Sequence, residues 1–108
     1  MNEQLIQVHE ERDGDQLIIR LTGEVDLSNV ERLQQRLDAA VEGCPHVVID
    51  LSAIQYIDSQ GLRLLTRLAV RLAECKTKLE VIAPPDSVAR DVLDITRMGD
   101  AIPIRDAL

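Results

Sequence analysis

Asp58-Ser59-Gln60-Gly61 stands directly before a run of leucines with helical spacing. A serine in that place can do one of three things. It can cap a helix, attack as a nucleophile, or offer its hydroxyl to another protein for modification. As a cap it competes with Asp58, because both residue types accept hydrogen bonds from the unpaired N–H groups of a first helical turn. Either residue fits. As a nucleophile it needs a base within hydrogen-bond reach, normally a histidine oriented by a carboxylate. The chain has His9 and His46. His46 opens the apolar run "HVVIDL" upstream of the motif, and at ~3.3 Å per residue its backbone lies roughly 17 Å from the far end of that run. His9 is not placed by local pattern, and the G-x-S-x-G nucleophile elbow is absent. Hydrolase chemistry is disfavoured. A modifiable hydroxyl is compatible with the helix start, where free N–H groups favour an anion.

Asp50, at the end of the same apolar run, is the other candidate. Its position resembles the phospho-accepting carboxylate of response-regulator domains. Those domains need an acidic pair after their first strand to hold magnesium, and a lysine late in the chain. Here the only lysines are Lys76 and Lys78, while Glu24 and Asp26 come from a different topological position. That chemistry is rejected. Cys44 and Cys75 match no metal or redox spacing, and neither histidine has a partner at ligand spacing, so no metal or cofactor is expected.

The elements around the motif follow from pattern. "QLIQVHEERDGDQLIIRLTG" predicts two strands joined by a turn at Asp13-Gly14-Asp15, an Asp-Gly hairpin signal, with Gly23 breaking the second run. Ser28 and Glu31 form an S-x-x-E capping box, and Val30, Leu33, Leu37 and Val41 mark the apolar stripe of a helix from about Ser28 to Glu42. Gly43 and Pro45 end it. "HVVIDL" is short and β-branched, as a buried parallel strand should be. Ser52 to Asp58 is then expected to be a strand-to-helix loop. Leu62, Leu65, Leu68, Ala69 and Leu72 give a second helix to about Cys75, and "LEVIA" a third buried strand. Pro84-Pro85-Asp86 opens a third helix with Val88, Val92, Leu93 and Ile95 inward, stopping near Gly99. "AIPI" predicts a last strand, kept at an edge by Pro103.

Hairpin, then helix and strand in alternation, predicts an α/β fold: a mixed β-sheet covered mainly on one side by helices, with right-handed crossovers. No linker or repeat divides residues 1–108, so one domain is expected. Composition narrows the function. One tyrosine, no tryptophan or phenylalanine, and a formal charge of -7 oppose both base stacking and phosphate-backbone binding, so no nucleic-acid partner is expected. No stretch approaches the ~20 apolar residues of a membrane span, and the N-terminus lacks a basic segment followed by an apolar one. A cytoplasmic protein with reduced thiols is expected.

"RLTGEVDLSN", "HVVIDLSAIQYIDSQGLRLL" and "VLDITRMGDAIPI" together resemble, in order and over nearly the whole chain, a STAS domain of the bacterial anti-sigma factor antagonists. The resemblance implies a regulatory binding protein and not an enzyme. Ser59 matches the serine that is phosphorylated by a partner acting both as anti-sigma factor and Ser/Thr kinase. Unphosphorylated, the domain would hold the kinase and free a sigma factor; a PP2C-type phosphatase would reset it. The docking surface implied is the turn Gly23, Glu24 and Asp26 with the helix start Asp58, Ser59, Gln60 and Gly61. Gln60 stands where the family often has a small residue, and Arg97 where a glycine is common. A STAS subunit of a lipid-transport ATPase complex, or a scaffold in a signalling assembly, would share the fold without needing Ser59 modified.

Overall fold

The structure, a computed structural model, describes residues 6–108. Two antiparallel strands, β1 (Ile6–Asp13) and β2 (Gln16–Val25), form the hairpin, and its turn includes Gly14 at φ +65°. Helix α1 (Val30–Ala40), strand β3 (His46–Ile57), helix α2 (Ser59–Glu74), strand β4 (Lys78–Ile82), helix α3 (Val88–Ile95) and the two-residue strand β5 (Ile104–Arg105) follow. The sheet order is β1-β2-β3-β4-β5, antiparallel at β1–β2 and parallel at the other three junctions. This is the expected α/β mixed sheet. β1 lies at one edge and is largely exposed and rich in charge, which discourages pairing with another chain.

Side-chain alternation gives the sheet two unlike faces. Leu17, Ile19 and Leu21 of β2, Val47, Ile49 and Leu51 of β3, and Val81 of β4 join Leu33 and Leu37 of α1, Leu65 and Leu68 of α2, and Ala89 and Leu93 of α3 in one buried cluster. Aliphatic side chains supply this core, as the aromatic-poor composition requires. The other face has a small apolar trio, Ile18, Val48 and Ile82. Around it run polar contacts: ion pairs from Arg20 to Asp50 at 3.3 Å and from Arg105 to Glu80 at 3.4 Å, and a hydrogen bond between His46 and Glu80 at 2.9 Å.

Several boundaries differ from expectation. Gly23 does not break β2. The strand runs on to Val25 through register shifts between Arg20 and Thr22 and again between Gly23 and Glu24, with Gly23 at φ +116°. An irregularity that needs positive φ is a natural place for glycine. β3 likewise continues through Ser52 to Ile57, paired to that extension of β2, so the expected loop is strand. The Ser28 capping box does not form: α1 begins at Val30 after Asn29. At α3 the cap is Ser87, whose side chain accepts from the Arg90 N–H at 3.2 Å. That helix ends at Ile95, which is exposed, as is Val88; a single 3-10 turn covers Met98–Asp100. Pro103 precedes β5, and its carbonyl accepts from the Val81 N–H at 2.9 Å.

Candidate functional site

β2 and β3 run parallel with Glu24 opposite Tyr56 and Val25 opposite Ile57, so both leave the sheet at the same end. One residue beyond Ile57, Asp58 caps α2. Its backbone is extended (φ -116°, ψ -165°), and its Oδ1 accepts from the Gln60 N–H at 2.9 Å. Its carbonyl accepts from the Leu62 N–H at 3.2 Å. Asp58 therefore does the capping, and Ser59 is the first residue of the helix. Ser59 is exposed, and among the described residues nothing bonds its hydroxyl.

On the β2 side the chain turns through Asp26 to Asn29. Asp26 Oδ1 accepts from the Ser28 N–H at 2.9 Å and from the Ser28 hydroxyl, an Asx-type turn. Asn29, 2% exposed, ties this turn together. Its Nδ2 donates to the Glu24 carbonyl at 2.8 Å, and its Oδ1 accepts from the Asp26 N–H at 3.1 Å. Local sequence reasoning passed over Asn29, although an asparagine just before an amphipathic run is a recognisable helix-start signal.

Parallel register thus brings Glu24 and Asp26 near Asp58, Ser59, Gln60 and Gly61, while Gly23, opposite Ile54, lies further back along the strands. The seven are not equivalent. Gly61 is buried, and a Cβ there would meet Ile57 Cγ1 at 2.5 Å and Val25 Cγ1 at 3.3 Å. It seats α2 against both strand ends, so its influence on a partner passes through the helix it positions. Asp26 has one oxygen committed to its own turn. Gln60 is half-buried and lines a groove of about 310 Å³ between α1 and α2, with Leu27, Val30, Arg63 and Arg67. Two apolar side chains not singled out from the sequence flank the site: Leu27, 75% exposed, and Tyr56, 47% exposed.

His46 lies at the start of β3, eleven residues before its end, and is bonded to Glu80. His9 pairs across the hairpin with Arg20, itself ion-paired to Asp50 in the middle of the sheet. Neither can reach Ser59. Asp50 accepts from Arg20 Nε and from the Ser52 N–H at 3.0 Å, a structural arrangement on the outer face. Among the described residues no group of three or more histidine, cysteine or acidic side chains could hold a metal, and no helix is long and apolar enough to cross a membrane. A larger cleft, about 460 Å³, lies at the other end of α1 and α2, lined by Gly43, Cys44, Arg71 and Cys75 among others. It is a full 16-residue helix away from Ser59.

Fold and site define a small α/β interaction domain that presents a free serine at a helix start. The family description that matches, over residues 7–108, is the STAS domain, and the chain belongs to that family. An anti-sigma F factor antagonist of Paenibacillus polymyxa is 27% identical, over 94% of this chain and 87% of its own. BtrV of Bordetella bronchiseptica, assigned by name to the anti-sigma factor antagonists, is 34% identical over 82% of this chain and 76% of its own. The crystal structure of an anti-sigma factor antagonist from Mycobacterium paratuberculosis superposes with a TM-score of 0.85 at 27% identity, covering 95% of this chain and 87% of that one.

Proposed function

We propose that this chain is an anti-sigma factor antagonist that switches partners through Ser59. Unphosphorylated, it binds a cytoplasmic anti-sigma factor that is also a Ser/Thr kinase, and so releases a sigma factor. Phosphorylated on Ser59, it lets the kinase go, and a PP2C-type phosphatase restores the hydroxyl. Its role is regulatory binding, not catalysis. The names of the relatives support the antagonist role. The observation that carries the switch is the division of labour at α2: Asp58 caps the helix, and the exposed Ser59 hydroxyl is left without a partner.

The energetics are local. Phosphorylation adds about -1.5 to -2 charges at neutral pH. At a helix N-terminus the dipole offsets part of the repulsion from Asp58, so the fold tolerates it. An interface packed against a neutral hydroxyl has no such compensation, and a like-charge mismatch there can cost several kcal/mol. A thousandfold loss of affinity requires only about 4 kcal/mol. The surface that would feel the charge includes Gly23, Glu24 and Asp26 on one side, Gln60 on the other, and the exposed Leu27 and Tyr56.

The test is the affinity of Ser59→Asp and Ser59→Ala for the cognate anti-sigma kinase. The alanine variant is expected to bind as the parent does and the aspartate variant at least tenfold more weakly. Equal, tight binding by both would defeat the switch.

A further inference from the structure

The chain has 19 acidic residues against 12 basic ones, so a basic side chain has many acids within reach. Arg20, Arg36, Arg71, Arg90, Arg97 and Arg105 each meet a carboxylate. Arg63 and Arg67, both exposed on α2, meet none among the described residues. Glu31 of α1 lines the same groove and pairs with neither. The two unpaired arginines are the first cations after Ser59.

Their spacing separates them. Arg63 is four residues after Ser59 on the same helix, about 40° around its axis, which puts the two Cβ atoms ~5–6 Å apart. Helical side chains lean toward the N-terminus, so a long side chain at 63 extends back over position 59. Arg67 is a further turn away, about 12 Å from Ser59 along the axis. On the N-terminal side stands Asp58, whose Oδ1 is already taken by the Gln60 N–H and whose charge repels a phosphate.

We infer that Arg63 is the intramolecular counter-ion of a phosphate on Ser59, its guanidinium gripping the phosphate oxygens from one turn along α2. The inference rests on Ser59 being the phosphoacceptor. It assigns Arg63 a role in holding and orienting the phosphate, beyond the bare addition of charge. A guanidinium suits this better than an ammonium, since its donor fork matches phosphate oxygens in pairs. In the phosphorylated form Arg63 is drawn from the groove toward the phosphate, while Arg67 keeps its place beside α1.

The experiment installs phosphoserine at position 59 during synthesis of the full chain, in the parent, Arg63→Gln and Arg67→Gln. Phosphorus NMR then follows the second ionisation of the phosphate. Removing its counter-ion should raise the midpoint by about 0.3 unit or more in Arg63→Gln and leave it unmoved in Arg67→Gln. Equal midpoints in the parent and Arg63→Gln would overturn the inference. So would an equal rise in both variants, which would signal a diffuse field and not a contact. Because no kinase is involved, this result is independent of whether cells phosphorylate Ser59, which mass spectrometry of the isolated protein decides separately.

Discussion

Gly61 sits on Ile57 so closely that a methyl group at position 61 would lie 2.5 Å from Ile57 Cγ1 and 2.9 Å from Ile57 Cδ1. The last residue of β3 and the first turn of α2 are thereby locked together, and this lock holds Ser59 at the sheet's end. Gly61→Ala should force the helix start outward, an overpacking that costs about 1–3 kcal/mol. Urea denaturation checks the stability loss. Partner affinity should fall with it even though residue 61 is buried.

Asn29 gives a second lock, on the β2 side. Asn29→Ala removes both the bond to the Glu24 carbonyl and the bond from the Asp26 N–H, in a residue only 2% exposed. The two backbone groups left unpaired are part-buried, so the cost is about 1 kcal/mol, at the low end of the range for an unsatisfied group. A lowered urea midpoint with an unchanged slope is the expected outcome, with faster amide exchange at Asp26 reporting the local opening.

Glu80 makes stability depend on acid pH. Burial pushes its carboxyl up, but the His46 hydrogen bond and the charges of Lys78 and Arg105 outweigh it and hold the group below its ordinary value of 4.5. A carboxyl depressed in the folded state stabilises the protein above its unfolded value, and that contribution is lost as pH falls through the lowered one. Unfolding free energies of the parent should therefore drop below about pH 4.5 more steeply than those of Glu80→Gln. Parallel curves would show that Glu80 contributes nothing to the acid sensitivity.

Arg97 occupies a left-handed conformation, φ 59° and ψ 33°, immediately before the 3-10 turn. Glycine adopts that conformation without the steric cost that an arginine meets there. The ion pair of Arg97 to Asp100, at 3.4 Å between two highly exposed side chains, offsets little of the strain. Arg97→Gly should raise stability by about 0.5–1 kcal/mol, read as a higher urea midpoint. No effect on partner binding is expected, because Arg97 lies outside the Ser59 surface.

Much of the architecture is legible locally. The Asp13-Gly14 turn, the Leu33-Leu37-Val41 stripe of α1, the apolar run His46–Leu51 and the leucine periodicity of α2 each encode one element through its own repeat. The errors fall where a partner strand overrules the local pattern. Residues 52–57 alternate poorly and carry exposed polar groups, so they look like a loop. They become strand because β2 continues beside them through the irregularity at Gly23. At Ser28 the capping box is a sound local signal, but both the N–H and the hydroxyl of Ser28 donate to Asp26 Oδ1, so the N–H that Glu31 would have bonded is already taken.

The site divides in the same way. Sequence alone determined that Ser59 opens a helix after a strand, and that no histidine stands near it in the chain, because both are matters of spacing. It left open whether Asp58 or Ser59 caps that helix. Only the tertiary structure decided this, since the choice depends on which oxygen faces the Gln60 N–H once the helix has docked. It also decided that Gly61 faces inward, that Leu27 and Tyr56 stay outside, and that Arg63 meets no acid among the described residues. Those outcomes depend on which surfaces meet when β2, β3, α1 and α2 pack, and such contacts are made by residues far apart along the chain.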